Sequence, residues 1–306
     1  MNVTIASYSP ADIEILRALV THPSLVEEFR WLVPPGGLED HFSDPDGAPE
    51  LRRLARVDGE PVAFGFAFVP PAATGAFAMI RIGVLDSYRR RGLGTRLLET
   101  LVAALAPQRA ARGLNELCVS ARTPNPAAEA FAARHGFPYV RTFWIMERPR
   151  DPQHPPVAAW PAGIEVRIYD GGEPALRDWA DAYNDAFADH FHYVRVSLEH
   201  ARAFTRLAQF RPDGLVLAYR DGRCVGFCRN AVRGRDGEVA LLGTVRAARG
   251  IGLGRALLRW SVAWLERQDV DSIELGVDGE NETALRLYRD EGFAVAVTRG
   301  FWAKAY

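Results

Sequence analysis

Two glycine turns are the segments of this chain best equipped for chemistry. Arg89-x-x-Gly92-x-Gly94 and Arg249-x-x-Gly252-x-Gly254 each follow an apolar run and open a helical stripe. Glycine lets a chain turn sharply and lets its backbone approach a ligand closely. The first N–H groups of a helix have no partner within it, and the helix dipole makes that end positive. Such a turn can cradle a pyrophosphate, and flanking arginines can add charge-assisted hydrogen bonds to phosphate. One turn alone is equally a tight strand-to-helix connection; two with the same flanks point to ligand binding. The pattern is not the dinucleotide-binding Gly-x-Gly-x-x-Gly, because no third glycine follows at that spacing, and no Lys-Ser/Thr pair marks a P-loop.

The elements that must position these turns also occur twice. Ile82–Gly94 is repeated by Leu242–Gly254 at an offset of 160 residues. Behind the first turn runs the stripe Leu93, Leu97, Leu98, Leu101, Val102, Leu105. Behind the second runs Leu253, Leu257, Leu258, Ser261, Val262, Leu265. Both spacings fit one face of a helix. Asn125 to Gly136-Phe137 matches Asn281 to Gly292-Phe293, and Val3–Tyr8 matches Glu165–Tyr169 as a short first strand. Between the copies, Pro149–Pro161 holds five prolines and reads as a linker. The expected organisation is a domain over 1–150, a linker over 151–162 and a second domain over 163–306. Each copy reads strand, helices, antiparallel strands, glycine turn, helix, strand, helix, strand, which is an α/β (α+β) mixed-sheet class.

Composition narrows the function classes. The 306 residues are 48% hydrophobic and 25% charged. That excludes a mainly disordered chain, a collagen and a small disulfide scaffold, and the length suits two domains. Net charge is −1, so nothing calls for nucleic acid or an anionic membrane as partner. Of the 37 basic residues only Lys304 is a lysine, a bias that fits a GC-rich genome. Three cysteines argue against a disulfide framework and for a reducing cytoplasm. Cys224 and Cys228, four apart in a strand-like run, are expected on one face as buried thiols. No zinc-type spacing surrounds them, so no metal is expected. The N-terminus has no signal-peptide pattern. Pro61–Ile80 carries no charge and is long enough to span a bilayer. Pro70-Pro71 at its centre and the alternating Phe64, Phe66 and Phe68 favour two strands joined by a turn instead.

These motifs resemble the GNAT acetyltransferase superfamily, over nearly the whole chain. Its members carry an Arg/Gln-x-x-Gly-x-Gly/Ala turn and a downstream Asn-x-x-Ala-x-x-x-Tyr-x-x-x-Gly-Phe pattern. Asn281-Glu282-Thr283-Ala284-Leu285-Arg286-Leu287-Tyr288-Arg289-Asp290-Glu291-Gly292-Phe293 matches the second pattern throughout. The resemblance implies two tandem GNAT-like acyl-CoA N-acyltransferase domains, an arrangement similar to the mycothiol synthase family. It implies acetyl-CoA as co-substrate. In the first copy Ile82, Gly83, Val84, Arg89, Arg90, Arg91, Gly92, Leu93, Gly94 and Thr95 would hold it. In the second copy these are Leu242, Gly243, Thr244, Arg249, Gly250, Ile251, Gly252, Leu253, Gly254, Arg255 and Asn281. Asn281 is equally placed to cap the helix it precedes.

The resemblance also separates the two copies. A tyrosine at the Tyr288 position commonly serves as the acid that protonates the leaving CoA thiolate. The same count from Asn125 reaches Ala132. Glu238 stands where mycothiol-synthase-like enzymes carry their base, and Ala78 stands opposite it in the first copy. Other members use a glutamate on the next strand; here Glu274-Leu275-Gly276-Val277 puts glycine there, and Glu274 ranks second. The expectation is direct transfer in the C-terminal domain alone, the N-terminal one being catalytically degenerate. Backbone N–H groups at Leu242–Thr244 would hold the pantetheine and polarise the carbonyl. The acceptor would be a small polar amine, such as a cysteinyl conjugate, amino sugar, amino acid or antibiotic. It would meet the segment from Asp181 to Phe210, with Asp189, His190, His192, Tyr193, Arg195 and His200; Trp31 and His41 are the loose counterparts in the first copy. A protein N-acetyltransferase and a non-catalytic acyl-CoA sensor are the alternatives. A monomer or homodimer, with no nucleic-acid or membrane partner, completes the expectation.

Overall fold

A computed structural model describes residues 2–43, 47–70 and 76–306. The chain forms two compact units: Met1–Arg141 with Arg299–Tyr306, and Thr142–Thr298.

The first unit opens with β1 (Val3–Ala6), α1 (Ile13–Val20) and α2 (Gly37–Ser43). There follow β2 (Gly47–Val57), β3 (Glu60–Phe68), β4 (Ala76–Val84), α3 (Leu93–Arg112), β5 (Leu114–Thr123) and α4 (Pro126–Arg134). The strands β1 to β4 pair antiparallel in sequence order, and β4 runs parallel to β5. The uncharged run is thus the pair β3–β4; of its joining residues, Pro71 and Gly75 lie outside the described ones. No described helix is long and apolar enough to cross a membrane. The α1/α2 face packs Leu16, Leu19, Val20 and Leu38 against Phe64 and Phe66. The α3 stripe buries Leu98, Leu101 and Leu105 with Ala78, Ile80 and Leu117 on the other face.

This sheet is completed by the end of the chain. The last strand, from Arg299 on, lies beside β5. The Tyr306 N–H donates to the Asn115 carbonyl at 2.8 Å and Lys304 Nζ to the His135 carbonyl at 2.8 Å. Trp302 joins the α3 core.

The second unit receives β6 (Tyr139–Pro149) from Thr142 onward. It continues with β7 (Glu165–Ile168), α5 (Glu173–Ala186), α6 (Leu198–Phe204), β8 (Phe210–Arg220), β9 (Arg223–Arg233) and β10 (Asp236–Thr244). Next are α7 (Leu253–Leu265), β11 (Ser272–Asp278), α8 (Glu282–Asp290) and β12 (Ala294–Ala305), whose final residues belong to the first unit. Strand order is β6-β11-β10-β9-β8-β7, with β10 and β11 parallel. Helices α5 and α6 cover one face with Trp179, Ala186 and Ala201 packed on Phe227. Helices α7 and α8 cover the other with Leu257, Leu258, Leu285 and Tyr288. The proline-containing stretch after β6 is pinned to α7: buried Glu266 accepts from Arg148 Nη1 at 2.9 Å and from the Asp151 N–H at 3.0 Å.

Cys224 and Cys228 correct the one-face expectation. Tyr219 pairs with Cys224, but Ala218 pairs with Gly226, so β9 carries one extra residue. That bulge inverts the alternation. Cys224 packs with the α5 core and Cys228 with the α7 core.

Candidate active site

Strand β10 loses its regularity at Ala240. Val239 pairs with Asn230 of β9, and the next pair is Leu241 with Arg229, so Ala240 is a bulge residue. Pairing with β11 ends at Val239–Leu275. Past this point alternate backbone N–H groups of Leu241–Thr244 face away from β9 with no β11 ladder to take them. The opposite wall is Gly276, where an added Cβ would meet nothing within 4 Å. The parting strands therefore leave a slot in the sheet.

At the end of this slot stands the N-terminus of α7. Gly252 is its N-cap, in the left-handed region at φ 86°, with no side chain capping the free N–H groups. A Cβ on Gly250 or Gly252 would meet nothing within 4 Å, and one on Gly254 only ordinary neighbours, Leu287 at 3.8 Å and Thr244 at 4.0 Å. At Gly250 and Gly252 the left-handed backbone, φ 79° and 86°, itself favours glycine; at Gly254 neither the backbone nor the packing demands it, which leaves room for a ligand to approach closely. The residues present thus fit a pyrophosphate and its pantetheine arm. Gly243 differs, because a Cβ there would come within 3.0 Å of the Phe187 ring. Its glycine serves packing on the α5 face, as Gly83 does against Phe29 at 2.8 Å.

The arginines of the turns are engaged by the protein itself. Arg249 Nη2 donates to the Ala186 carbonyl at 2.9 Å. Arg255 pairs with Glu291 at 2.6 Å and Asp290 at 2.8 Å. Arg89 pairs with Asp86 at 2.6 Å and donates to the Val84 carbonyl. Arg91 lies over the Tyr88 ring, and Arg90 sits at φ 62°. The cradle they flank is made of backbone. Leu93 and Leu253 are buried beneath it, Ile251 is exposed, and Ile82 and Leu242 pack into the cores. Thr95 Oγ1 lies 3.0 Å from His135 Nε2. Asn281 Oδ1 accepts from the Ala284 N–H at 3.1 Å, the capping role open to it.

Glu238 and Tyr288 lie on opposite faces of the second unit's sheet. Val239 and Tyr288 share the α7/α8 core, so the neighbouring Glu238 projects to the α5/α6 face. Burial raises the Tyr288 pKa and keeps its hydroxyl protonated. Glu238 Oε2 lies 3.1 Å from Arg233 Nη2 without the alignment of a hydrogen bond. Glu238 also pairs in register with Glu274 of β11, and Glu274 with Glu147 of β6. Three carboxylates therefore line one face in a row, with the Arg233 and Arg229 cations beside Glu238. In the first unit Ala78 and Ala132 hold the equivalent places, both fully buried.

The acceptor-segment residues are largely self-engaged. Asp189 pairs with Arg246 at 2.7 Å, and the Tyr193 hydroxyl donates to Asn184 Oδ1 at 2.8 Å. His200 bonds Ser197, His192 stacks on Phe191, and His190 lies edge-on to Phe187, its pKa lowered by burial. Trp31 and His41 belong to the first unit's aromatic core, around Phe66.

Sequence reasoning passed over what fills the first unit's own gap. Pairing of β4 with β5 ends at Ile80–Val119. There Arg81 Nη1 donates to Ser120 Oγ at 3.2 Å, and Glu28 Oε1 accepts from Arg81 at 2.6 Å and from Arg299 at 2.5 Å. The second-unit counterparts of Arg81 and Ser120 are Leu241 and Gly276. The available signal was an arginine inside the apolar run Met79-Ile80-Arg81-Ile82.

Known proteins resemble this chain in sequence and in fold. The Acetyltransferase (GNAT) family matches residues 18–137 and again 175–293. A mycothiol acetyltransferase of Thermobispora bispora is 32% identical over 292 residues, covering 93% of each chain. One of Thermomonospora curvata is 36% identical over 241 residues, 78% of this chain and 77% of that one. The solved GCN5-related N-acetyltransferase from Sphaerobacter thermophilus has the same fold, with TM-score 0.77 and 24% identity over 99% of this chain and 95% of that one. So has a tandem GNAT protein from the clavulanic acid biosynthesis pathway, with TM-score 0.72 and 18% identity over 99% and 98%. With both copies of the motif matched and relatives similar along almost its full length, the chain belongs to the GNAT family as a tandem-domain N-acetyltransferase.

Proposed function

We propose that the second unit moves an acetyl group from acetyl-CoA to the amine of a small polar acceptor, with Glu238 as base and Tyr288 as acid. The observation that carries this is the contrast between the two gaps. In the second unit Gly276 leaves the slot open; in the first, Arg81, Ser120, Glu28 and Arg299 bridge the same place. The relatives at 32% and 36% identity are mycothiol acetyltransferases, which supports a cysteinyl amino-sugar conjugate as the acceptor class.

Acetyl-CoA supplies the activated thioester. The chain's residues do the rest. The uncapped N-terminus of α7 receives the pyrophosphate. Backbone N–H groups of the Leu241–Thr244 stretch line the slot and donate to the carbonyl oxygen, where negative charge develops. Glu238 takes a proton from the acceptor ammonium, directly or through one water. The amide C–N bond forms, the thioester C–S bond breaks, Tyr288 gives its proton to the departing sulfur, and the second proton shed by the new amide nitrogen restores the tyrosine, while Glu238 returns the first to solvent. A slot open to both faces lets two groups on opposite sides of the sheet serve one reaction.

The test is CoA thiol release from acetyl-CoA with cysteinyl and amino-sugar acceptors, for wild type beside Tyr288→Phe. Acceptor-dependent release that drops about 10²-fold or more in the variant is expected. Equal rates would remove Tyr288 as the acid; no release despite acetyl-CoA binding would favour a sensor over an enzyme of small amines.

A further inference from the structure

Beside Glu238 lies a cation whose buried Nε has no hydrogen-bond partner among the described residues. It is Arg229, on β9, which is 9% exposed. Among the described residues its guanidinium meets only the face of Phe204, at 5.4 Å from the ring centroid, and the fields of charged or ionisable neighbours. Its register partner is Leu241, the first β10 residue past the bulge, so it sits where the slot begins. Burial disfavours its charged form, and the nearby Glu238 carboxylate opposes that. Arg233, two pleats along the same face, likewise has an unpartnered Nε, and Trp179, which also packs on Phe204, has an unpartnered indole N–H. Buried polar groups are nearly always hydrogen-bonded, and an arginine is never relieved by losing its proton. A guanidinium so placed has a donor to offer to an oxygen that a ligand brings.

The arrangement has two poles. The Glu238 carboxylate suits the reacting amine; Arg229, on the adjoining strand of the same face, suits an oxygen acceptor. Glu238 pairs with Ala231 and Arg229 with Leu241, so the two stand at successive positions of one face, and an acceptor that spans them carries its oxygen close to its amine.

We infer that Arg229 is an acceptor-binding residue that takes the carbonyl or carboxylate oxygen vicinal to the reacting amine, and so selects α-aminoacyl acceptors over plain amines. This rests on the acyl-transfer reading above. Arg229 is one of the groups that holds the acceptor, and it moves no proton.

Two primary-amine acceptors with a thiol separate the possibilities: L-cysteine amide, which has the carbonyl, and cysteamine, which lacks it; because the carbonyl also lowers the basicity of the amine, the change in preference between wild type and variant is the readout. Thiol release from acetyl-CoA is followed for wild type, Arg229→Met and Arg229→Lys, with KM measured for acceptor and for acetyl-CoA. Wild type should prefer the cysteine amide by on the order of 10- to 100-fold in kcat/KM, since a buried donor left unpaired is costly. Arg229→Met should lose that preference through a raised acceptor KM, with the KM for acetyl-CoA unchanged. Arg229→Lys, which keeps the cation and loses the fork, should retain part of it, and carries the comparison if Arg229→Met does not fold. Full preference surviving in either variant overturns the assignment of Arg229 alone. Absence of thiol release by wild type with both acceptors overturns the acyl-transfer reading, and this inference with it.

Discussion

Arg81 donates to Ser120 at 3.2 Å across the point where β4 and β5 part, while their counterparts Leu241 and Gly276 leave the same point in the second unit unbridged. The two units share the cradle and differ in the slot behind it. Filling the second slot should therefore abolish turnover without unfolding the unit. Gly276→Leu places a side chain where nothing lies within 4 Å of its Cβ. Strand propensity favours the change. Equilibrium unfolding should shift by no more than about 0.5 kcal/mol. Acetyl transfer should fall by about 10²-fold or more, because displacement of a reacting group by 1 Å is enough for that. Retained activity would mean that the thioester does not pass between β10 and β11.

Glu238→Gln tests the base through its pH dependence. The variant keeps the size of the side chain and its place beside Arg233. The rate near neutral pH should drop by about 10²- to 10⁴-fold, the usual worth of a positioned proton acceptor. The deficit should shrink as pH rises toward the pKa of the acceptor amine, since solvent then supplies the free base. A deficit constant with pH would make Glu238 a binding group for the ammonium instead.

Much of this was legible in the sequence, and the parts that were not share a cause. The turn at Gly252, the stripe from Leu253 to Leu265 and the Asn281–Phe293 pattern are local, so spacing reveals them. Which strand closes which sheet is not local. The repeat of Asn125–Phe137 by Asn281–Phe293 looks the same whether each copy keeps its last strand or, as found, the residues from Arg299 on complete the first unit and β6 completes the second. The bulges at Ala240 and in β9 are equally silent, because one extra residue leaves the composition of a strand untouched while changing which face each side chain takes. Arg229 was hidden for that reason: its meaning depends on which side of β9 it faces and on having no partner there.

His41 gives the first unit an acid sensitivity that the sequence did not advertise. Its ring is buried, 2.9 Å from the Tyr8 hydroxyl, and burial, with Arg52 nearby, pulls its pKa down to about 4. The folded state thus holds His41 neutral while the unfolded chain protonates it below about 6.5. Its contribution is present above that value and is lost as pH falls toward 4, amounting to roughly 3 kcal/mol over the whole interval. Urea midpoints at pH 7.5 and 4.5 check this. His41→Gln, which cannot titrate, should lose less stability between the two pH values than wild type; equal losses would place the acid sensitivity elsewhere.

Trp302 tests the role of the chain's last residues. It is 6% exposed, in the core built by α3, β4 and β5, and it lies between Arg299, held by Glu28, and Tyr306, whose hydroxyl donates to the Val102 carbonyl at 2.9 Å. Were the final strand merely an appendage, Trp302→Ala would cost little. As part of that core it should cost about 3–5 kcal/mol, the usual range for a buried tryptophan. The loss should also be local. Amide exchange should accelerate in α3 and β5, where the tryptophan packs, before it does in α7, whose core of Leu257, Leu258 and Val262 contains no residue of this segment. Equal acceleration in α7 would show that the two units unfold as one, and a loss confined to α7 would contradict the strand's place beside β5.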